Sequence, residues 1–288
     1  MRVREVPARD LPGIAEAEWR MRERRPFVSN GIAYVPVRDG YPADRELAPK
    51  ARYDGRGFYM IGTIAVLHGR EPTSAEIREI EAWKKPTGIL WIRSYQGRER
   101  IPDVRLISGS TGEICHHELG MVFWLDPAQV MFSSGNRAEK QRMMRLVRPG
   151  ERVADMFAGI GYFSIPAGMA GATVHAMEIH PVAYRYLLRN IDENHLENRI
   201  FAGLGDCREL LSGTYDRIIM GHFDSSLMLD AAFDHIRTGG TIHMHTAGRN
   251  PPFIPEEYRD ACRDAGTVRR IKKVAPHTWH YVLDLRAG

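Results

Sequence analysis

The segment Asp155–Gly161 restricts the possible folds of this chain more than any other. It reads Asp-Met-Phe-Ala-Gly-Ile-Gly and joins an apolar, strand-like stretch to a helix-like one. Gly159 and Gly161 have no Cβ, so they tolerate positive φ angles and let the backbone approach a ligand closely. The helix that follows directs its free N–H groups at the same point. The pattern predicts a βα unit with a nucleotide or nucleoside crevice at the carboxyl ends of parallel strands.

The rest of the turn indicates which nucleoside is bound. The dinucleotide motif Gly-x-Gly-x-x-Gly needs a third glycine, and this chain has Ser164 there. Asp155 would repel a phosphate group but could hold an ammonium group. An acidic strand end and a glycine turn without a phosphate cradle suit S-adenosylmethionine, which carries an amine and a sulfonium.

Acidic residues also end the next two predicted strands. Glu178 follows the strand Thr173–Met177 and lies roughly 20 residues after Asp155, the offset at which an acidic side chain meets ribose hydroxyls. Asp206, followed by Cys207, ends the third strand and is placed to accept from an adenine amine. Each carboxylate taken singly is more often a helix cap. Three at consecutive strand ends favour one binding site.

Helix-like and strand-like segments alternate along the second half of the chain. A helix is predicted over Ala138–Val147, followed by βα units and a closing strand pair with a turn at Ala275–Pro276. This predicts an α/β fold of the class I methyltransferase type, with a mostly parallel, Rossmann-like seven-stranded sheet that has one antiparallel strand. A turn signal at Leu125–Pro127 separates it from a smaller α+β module. We therefore predict two domains, residues 1–128 and 129–288.

The smaller module is predicted to mix helices and strands. An amphipathic helix is expected over residues 7–25, and strands are expected over residues 31–37 and 58–67. Thr73 and Glu76 have the spacing of a capping box, which predicts a helix that begins there and ends at Lys84.

Positive charge is concentrated in the first 110 residues, which hold 20 Lys and Arg against 15 Asp and Glu. A basic surface indicates a polyanionic partner. One region combines guanidinium and aromatic groups of the kind that stack on unpaired RNA bases and pair with phosphates: Arg93, Tyr95, Arg98, Arg100 and Arg105. RNA contact and an ordinary strand surface fit this region equally well. A second basic cluster spans Arg259–Lys273.

Cysteine usage and hydropathy indicate the compartment. The cysteines at 115, 207 and 262 are odd in number and widely spaced, so they predict neither disulfides nor a metal site. No apolar run approaches the roughly 20 residues that span a bilayer, and the N-terminus has no signal-peptide pattern. We expect a cytoplasmic monomer that binds no metal and no membrane.

Six motifs resemble those of the archaeal tRNA wybutosine-synthesising aminocarboxypropyltransferases, a family that is sister to the tRNA guanine-N1 methyltransferases. They are Asp126–Arg142, Asp155–Phe163, Ala176–Tyr184, Asp216–Gly221, Ile242–His245 and Pro276–Tyr281. The resemblance implies transfer of the 3-amino-3-carboxypropyl group from S-adenosylmethionine to ring carbon C7 of 4-demethylwyosine. The acceptor lies beside the anticodon of phenylalanine tRNA, the by-product is methylthioadenosine, and the pathway is wyosine-derivative biosynthesis.

The resemblance also implies which residues contact the cofactor. Ser133 and Lys140 would hold the methionyl carboxylate, Glu178 the ribose, and Cys207 would contribute its backbone. Together with the turn, the predicted cofactor-binding residues are Ser133, Lys140, Asp155, Phe157, Gly159, Gly161, Glu178, Asp206 and Cys207.

Two other functions stay open. The guanine-N1 methyltransferases carry Asn-Leu-Pro after the fourth strand, where this chain has Met220–Asp224 with neither amide nor proline. That difference argues against methylation of guanine. The intact series of strand-end acids argues against a non-enzymatic RNA-binding protein.

The catalytic base is not identified by the sequence. A carbon nucleophile must lose a proton after it attacks, and histidine titrates near neutrality. His222 is the candidate for a base or a substrate contact, whereas His243 and His245 are expected to have packing roles.

Overall fold

The structure is a computed structural model that describes residues 1–48, 53–264 and 266–288. The chain divides into two compact units, Met1–Asp54 and Gly55–Gly288. This division differs from the predicted boundary at residue 128, because side chains from residues 55–128 share an apolar core with the rest of the second unit.

The first unit contains an antiparallel sheet. Its strands are β1 (Arg2–Pro7), β2 (Phe27–Ser29), β3 (Ile32–Pro36) and β4 (Arg45–Glu46). They are arranged in the order β2-β3-β1-β4, and Val3 and Val35 are fully buried on this sheet. The helix predicted over residues 7–25 is wrong. Only two short 3-10 turns form there, Ala8–Asp10 and Pro12–Ile14, because Pro12 lacks an N–H and clashes with a preceding helical turn.

The second unit begins with a four-stranded sheet and a hairpin. Its elements are β5 (Tyr59–Ile61), β6 (Ile64–His68), α1 (Ser74–Lys84), β7 (Gly88–Gln96), β8 (Ile101–Gly109), β9 (Ile114–Glu118), β10 (Met121–Leu125) and α2 (Arg137–Leu146). The sheet order is β5-β6-β7-β8, and β9 pairs with β10. The capping box of α1 is confirmed: the Thr73 hydroxyl accepts from the Glu76 N–H, and the Glu76 carboxylate accepts from the Thr73 N–H.

A seven-stranded sheet forms the rest of the second unit. Its elements are β11 (Arg152–Asp155), α3 (Ser164–Met169), β12 (Thr173–Glu178), α4 (Pro181–Glu193), β13 (Ile200–Leu204), α5 (Cys207–Leu210), β14 (Tyr215–Met220), α6 (Leu229–His235), β15 (Ile236–Gly248), β16 (Thr267–Ala275) and β17 (Thr278–Arg286). The strand order is β13-β12-β11-β14-β15-β17-β16, and β17 is antiparallel to both neighbours. The predicted fold class is confirmed.

Alternating side chains of the central strands enter two separate cores. Val153 and Ile219 belong to one apolar cluster, whereas Ala154 and Ile218 belong to the other. Successive residues of a strand point to opposite faces, and both faces of this sheet are covered, as in other parallel sheets. The first cluster also contains side chains from β5, β6, β7 and β10. Residues 55–128 therefore share a core with the large sheet, which explains why the division falls before them.

Asn190 of α4 and Asn194, the residue that caps the end of this helix, bind the backbone of β10. The Asn190 side-chain amide accepts from the Trp124 N–H and donates to the Trp124 carbonyl. Asn194, one turn later, makes the same two bonds to Val122. Asn190 also donates to the carbonyl of Ile160, inside the glycine turn. The hairpin is thereby fastened to the part of the sheet that carries the predicted cofactor site.

Candidate active site

The glycine turn after β11 has the backbone conformation that the sequence predicts. Gly159 has φ +57° and Gly161 has φ +101°, which are left-handed values that glycine adopts without strain. A Cβ on Gly159 would lie 2.7 Å from the Tyr162 ring, and one on Gly161 would lie 2.8 Å from Ile165. Any larger residue at Gly159 or Gly161 would therefore displace the turn.

Asp155 lies beneath this turn and is fully buried. Its carboxylate accepts from the Ser164 hydroxyl at 2.7 Å and from the Phe157 N–H at 3.4 Å. Burial, with a smaller contribution from the charge of Glu178, raises the pKa of Asp155 to about 7. Asp155 thus positions the turn from below and does not face the cavity above it.

Glu178 ends β12 and is fixed by two backbone amides. Its carboxylate oxygens accept from the N–H groups of Gly159 and His180, each at 2.7 Å. A carboxylate has about four lone-pair sites, so acceptor positions remain for hydroxyl groups. Burial raises the pKa of this carboxyl, and a donor pair from a ligand would favour its charged form.

Asp206 and Cys207 lie at the start of α5. The Asp206 carboxylate caps the helix by accepting from the Arg208 N–H at 3.0 Å, and it also binds the Arg208 guanidinium. The hydrogen bonds from Arg208 lower the pKa of Asp206, and burial raises the pKa of the Cys207 thiol to about 11. The first is a carboxylate and the second a neutral thiol near pH 7.

One cavity of about 260 Å³ lies over the carboxyl ends of β11, β12 and β14. It brings together seven of the ten predicted site residues: Ser133, Phe157, Gly159, Glu178, Asp206, Cys207 and His222. A fixed carboxylate with free lone pairs, a glycine turn without Cβ atoms and an apolar wall fit a nucleoside with a cationic tail. Gly161 and Asp155 support the turn and do not line this cavity.

Lys140, for which a contact with the methionyl carboxylate is predicted, does not line the cavity. Its side chain is fully buried and its ammonium binds the carboxylate of Glu118. The rings of Phe123, Phe132 and Tyr162 surround this ammonium, with centroids 4.7–5.4 Å away. Burial lowers the pKa of Lys140, and Glu118 opposes that shift. The lysine is already satisfied by its own charge partner.

A second cavity of about 550 Å³ adjoins the first. The two share six lining residues: Arg100, Met131, Ser133, Asn136, Gly221 and His222. Rings line the second cavity, among them Tyr59, Tyr95 and Phe223. The guanidinium of Arg100 lies 5.3 Å from the ring centroids of both Tyr95 and Phe223. An aromatic cavity next to a nucleoside cavity has room for a flat base.

The basic and aromatic region predicted for RNA contact divides into two parts. Arg93, Tyr95 and Arg100 line the second cavity, and Arg98 lines the first. Arg105 instead pairs with Glu71. In the sequence Lys272 belongs only to the late basic cluster, yet in the structure it also lines the second cavity. No spacing rule connects it to the glycine turn, because β16 joins the site through the sheet.

The three histidine candidates have different surroundings. His222 lines both cavities and stacks on Phe157, with 5.5 Å between ring centroids. Its Nδ1 accepts from the Asp224 N–H, and burial lowers its pKa. The ring is therefore neutral, with its proton on Nε2. His243 and His245 are fully buried and contact neighbouring side chains of the sheet.

Two kinds of feature are absent from residues 1–48, 53–264 and 266–288. No helix in these ranges is long and apolar enough to cross a membrane. The same ranges contain no group of three or more His, Cys, Asp or Glu side chains that could hold a metal ion.

Residues 114–279 match a protein-family model described as the TRM5/TYW2 methyltransferase domain. A relative from Methanocaldococcus jannaschii, the tRNA(Phe) (4-demethylwyosine(37)-C(7)) aminocarboxypropyltransferase, is 36% identical over 247 residues. These residues cover 81% of this chain and 98% of the relative. The tRNA (guanine(37)-N(1))-methyltransferase Trm5b from Pyrococcus abyssi is 31% identical over 294 residues, which cover 96% of this chain and 84% of the relative.

A solved structure of M. jannaschii TYW2 in complex with AdoMet (S-adenosylmethionine) superposes with a TM-score of 0.61. It is 30% identical and covers 80% of this chain and 98% of its own. Among these relatives, identity is higher with the aminocarboxypropyltransferase, whereas the alignment with the methyltransferase extends further along the chain.

Proposed function

The chain belongs to the TRM5/TYW2 family, and we propose that it transfers the 3-amino-3-carboxypropyl group of S-adenosylmethionine to ring carbon C7 of 4-demethylwyosine. The family resemblance expected from the sequence motifs is confirmed. The chain is an S-adenosylmethionine-dependent transferase whose substrate is tRNA. We further propose that this is phenylalanine tRNA, modified beside its anticodon, and that the enzyme works as a cytoplasmic monomer. In this proposal residues 1–128 contribute to tRNA contact.

The segment that follows β14 distinguishes aminocarboxypropyl transfer from guanine-N1 methylation in this proposal. Gly221 and His222 line both cavities, and Phe223 lines the second. None of the three has an amide side chain, and no proline follows. The segment therefore lacks the polar grip that Asn-Leu-Pro gives a ring N–H in the guanine-N1 methyltransferases. A carbon acceptor has no N–H to be held in this way.

In this proposal, different cavity residues bind different parts of the cofactor. Glu178 accepts from the ribose hydroxyls, and Asp206 accepts from the adenine amine. The methionyl part then extends toward Ser133, at the opening into the second cavity. S-adenosylmethionine supplies a sulfonium with three attached carbons, and orientation decides which of them meets the nucleophile.

The second cavity accepts the target base in this proposal. Tyr95 and Phe223 offer ring faces for stacking, which is worth about 1–3 kcal/mol per base. His222 contributes its Nε2–H as a hydrogen-bond donor to the substrate, since its other ring nitrogen already accepts from the backbone. Transfer joins the methylene of the arm to the base carbon and breaks the bond from that methylene to sulfur. The sulfur keeps the electron pair, methylthioadenosine is released, and the base carbon loses its proton to water.

Product analysis tests this function. The enzyme is incubated with S-adenosylmethionine and tRNA that carries demethylwyosine, and the small molecules are separated by chromatography while the nucleosides are weighed by mass spectrometry. We expect methylthioadenosine and a nucleoside enlarged by one aminocarboxypropyl group. tRNA with unmodified guanine is the control and should not react, because it lacks the third ring. Adenosylhomocysteine with a methylated guanosine would contradict the proposal.

Methylation of guanine is a second candidate function. One observation favours it, namely that the alignment with Trm5b covers 96% of this chain. The same experiment distinguishes the two, since each reaction leaves a different sulfur-containing by-product.

A further inference from the structure

Lys272 is a half-buried cation on the edge strand β16. The pairing of β16 with β17 shifts register between Arg270 and Lys272, and a β-bulge of this kind re-aims a side chain. Arg269 and Arg270 on the same strand are exposed, whereas Lys272 lines the second cavity. The irregularity therefore directs one basic residue of the late cluster into the site.

The ammonium of Lys272 rests on the loop that separates the two cavities. It donates to the Ser133 hydroxyl at 2.5 Å. Its chain passes over Gly135, where a Cβ would lie 2.8 Å from the lysine Cδ and 2.9 Å from Nζ. Glycine at that position leaves room for the lysine to reach Ser133, which lines both cavities.

No acidic side chain within the described ranges forms an ion pair with Lys272. Lys140, a buried cation whose charge acts on Lys272, is paired with Glu118. Arg100 forms no ion pair in the same ranges but faces the rings of Tyr95 and Phe223. Burial first, then Lys140 and Arg100, lower the pKa of Lys272 to about 8. A partly buried cation is costly unless it is paired, so the junction of the cavities is prepared for an anion.

We propose that Lys272, together with Ser133, binds the carboxylate of the aminocarboxypropyl arm of S-adenosylmethionine. The assignment deepens the proposed function and takes the place of the role expected for Lys140. The anion must reach Ser133 from the cofactor cavity, and the carboxylate is the only anionic group of S-adenosylmethionine. Held there, the arm extends into the second cavity and faces the target base, while the methyl group lies on another side of the sulfonium.

Calorimetry with two nucleosides tests the assignment without tRNA. S-adenosylmethionine carries the arm, whereas methylthioadenosine has the same adenosine but no carboxylate. We expect Lys272→Gln to weaken S-adenosylmethionine binding by about 10- to 100-fold, as for a charged hydrogen bond, and to leave methylthioadenosine binding unchanged. Lys84→Gln, an equal change of charge on the exposed end of α1, is the matched control and should alter neither affinity.

A second variant covers the case in which Lys272→Gln does not fold. Ser133→Ala should show the same selective loss for S-adenosylmethionine, by a smaller factor, and Lys272→Arg should retain most of the affinity because it keeps the charge. Equal losses for both nucleosides would overturn the assignment, since they would mean general damage to the cavity. Unchanged S-adenosylmethionine affinity with weaker tRNA binding would also overturn it, in favour of a tRNA phosphate. These binding measurements do not depend on which group is transferred. The proposed function is tested independently, by the identity of the sulfur-containing by-product.

Discussion

Replacing Lys140 should damage stability and leave cofactor binding nearly intact. The side chains of Lys140 and Glu118 are 0% and 6% exposed and form one ion pair. Lys140→Met leaves the Glu118 carboxylate without its partner in an apolar surrounding. Breaking a buried pair from one side costs about 3–5 kcal/mol, so we expect the free energy of unfolding to fall by that amount. Glu118→Leu should cost about as much, because it strands the ammonium.

The double variant Glu118→Leu/Lys140→Met separates a structural pair from two independent residues. An apolar pair of similar volume is often as stable as the ion pair it replaces, so the double variant should be more stable than either single one. The coupling free energy is the sum of the two single costs minus the cost of the double variant, so it should exceed about 3 kcal/mol, at or above the upper end for residues in contact.

Urea unfolding followed by circular dichroism measures the stabilities, and the slopes must agree between variants for the comparison to hold. Calorimetry with S-adenosylmethionine measures binding for each folded variant. If Lys140→Met costs less than about 1 kcal/mol of stability but weakens cofactor binding tenfold or more, the reasoning is refuted. Lys140 would then be the cofactor ligand that the sequence indicated.

Three further predictions concern the turn and the tRNA. Glu178→Ala should weaken S-adenosylmethionine binding by about 1.5–3 kcal/mol, with Glu178→Gln less affected because it keeps one acceptor; unchanged affinity in calorimetry would contradict the ribose assignment. The pKa of Asp155 is raised to about 7, so the folded state binds this proton more tightly than the unfolded state does. The contribution of Asp155 to the free energy of unfolding is therefore lost as pH rises from about 4 to about 7, by up to about 1.4 kcal/mol per pH unit. Asp155→Asn should reduce the pH dependence of the free energy of unfolding over that range, and an unaltered pH profile would contradict this prediction. The logarithm of the tRNA association constant should fall linearly with the logarithm of salt concentration, with a slope near −0.7 to −0.9 per neutralised phosphate; a salt-independent dissociation constant in filter binding would exclude a role for the basic surface.

The parallel sheet was predictable because its signals are local. Each strand of the βα units is a short apolar run that ends at an acid or a turn, and the faces follow from side-chain alternation. The first 54 residues gave weaker signals. The helical periodicity of residues 7–25 is real, but Pro12 and Gly13 interrupt it, and the chain forms short 3-10 turns instead. Proline and glycine inside a periodic segment prevent helix formation when tertiary packing does not stabilise the helix.

The site was predictable where each residue lies at a strand end, and not where it depends on packing between distant elements. Glu178 and Asp206 follow their strands directly and both reach the cavity. Lys140 has the charge expected of a cofactor ligand, but Glu118 of β9 takes its ammonium into the core. Lys272 reaches the site through a register shift in the last hairpin, and no sequence pattern encodes where that shift directs the side chain.

The paired amides of Asn190 and Asn194 have a consequence for how the hairpin is aligned. A strand normally finds its register from its neighbour strands, and a slip of one residue exchanges its inner and outer faces. The edge of β10 that does not pair with β9 is bound by two side chains four residues apart, one in α4 and one at its C-cap, and each binds both backbone groups of one residue. Their separation matches that of Val122 and Trp124, so a slip of β10 by one residue would break this match. The same helix thereby masks an edge that a second chain could otherwise join, so alignment and resistance to aggregation arise from the same four hydrogen bonds.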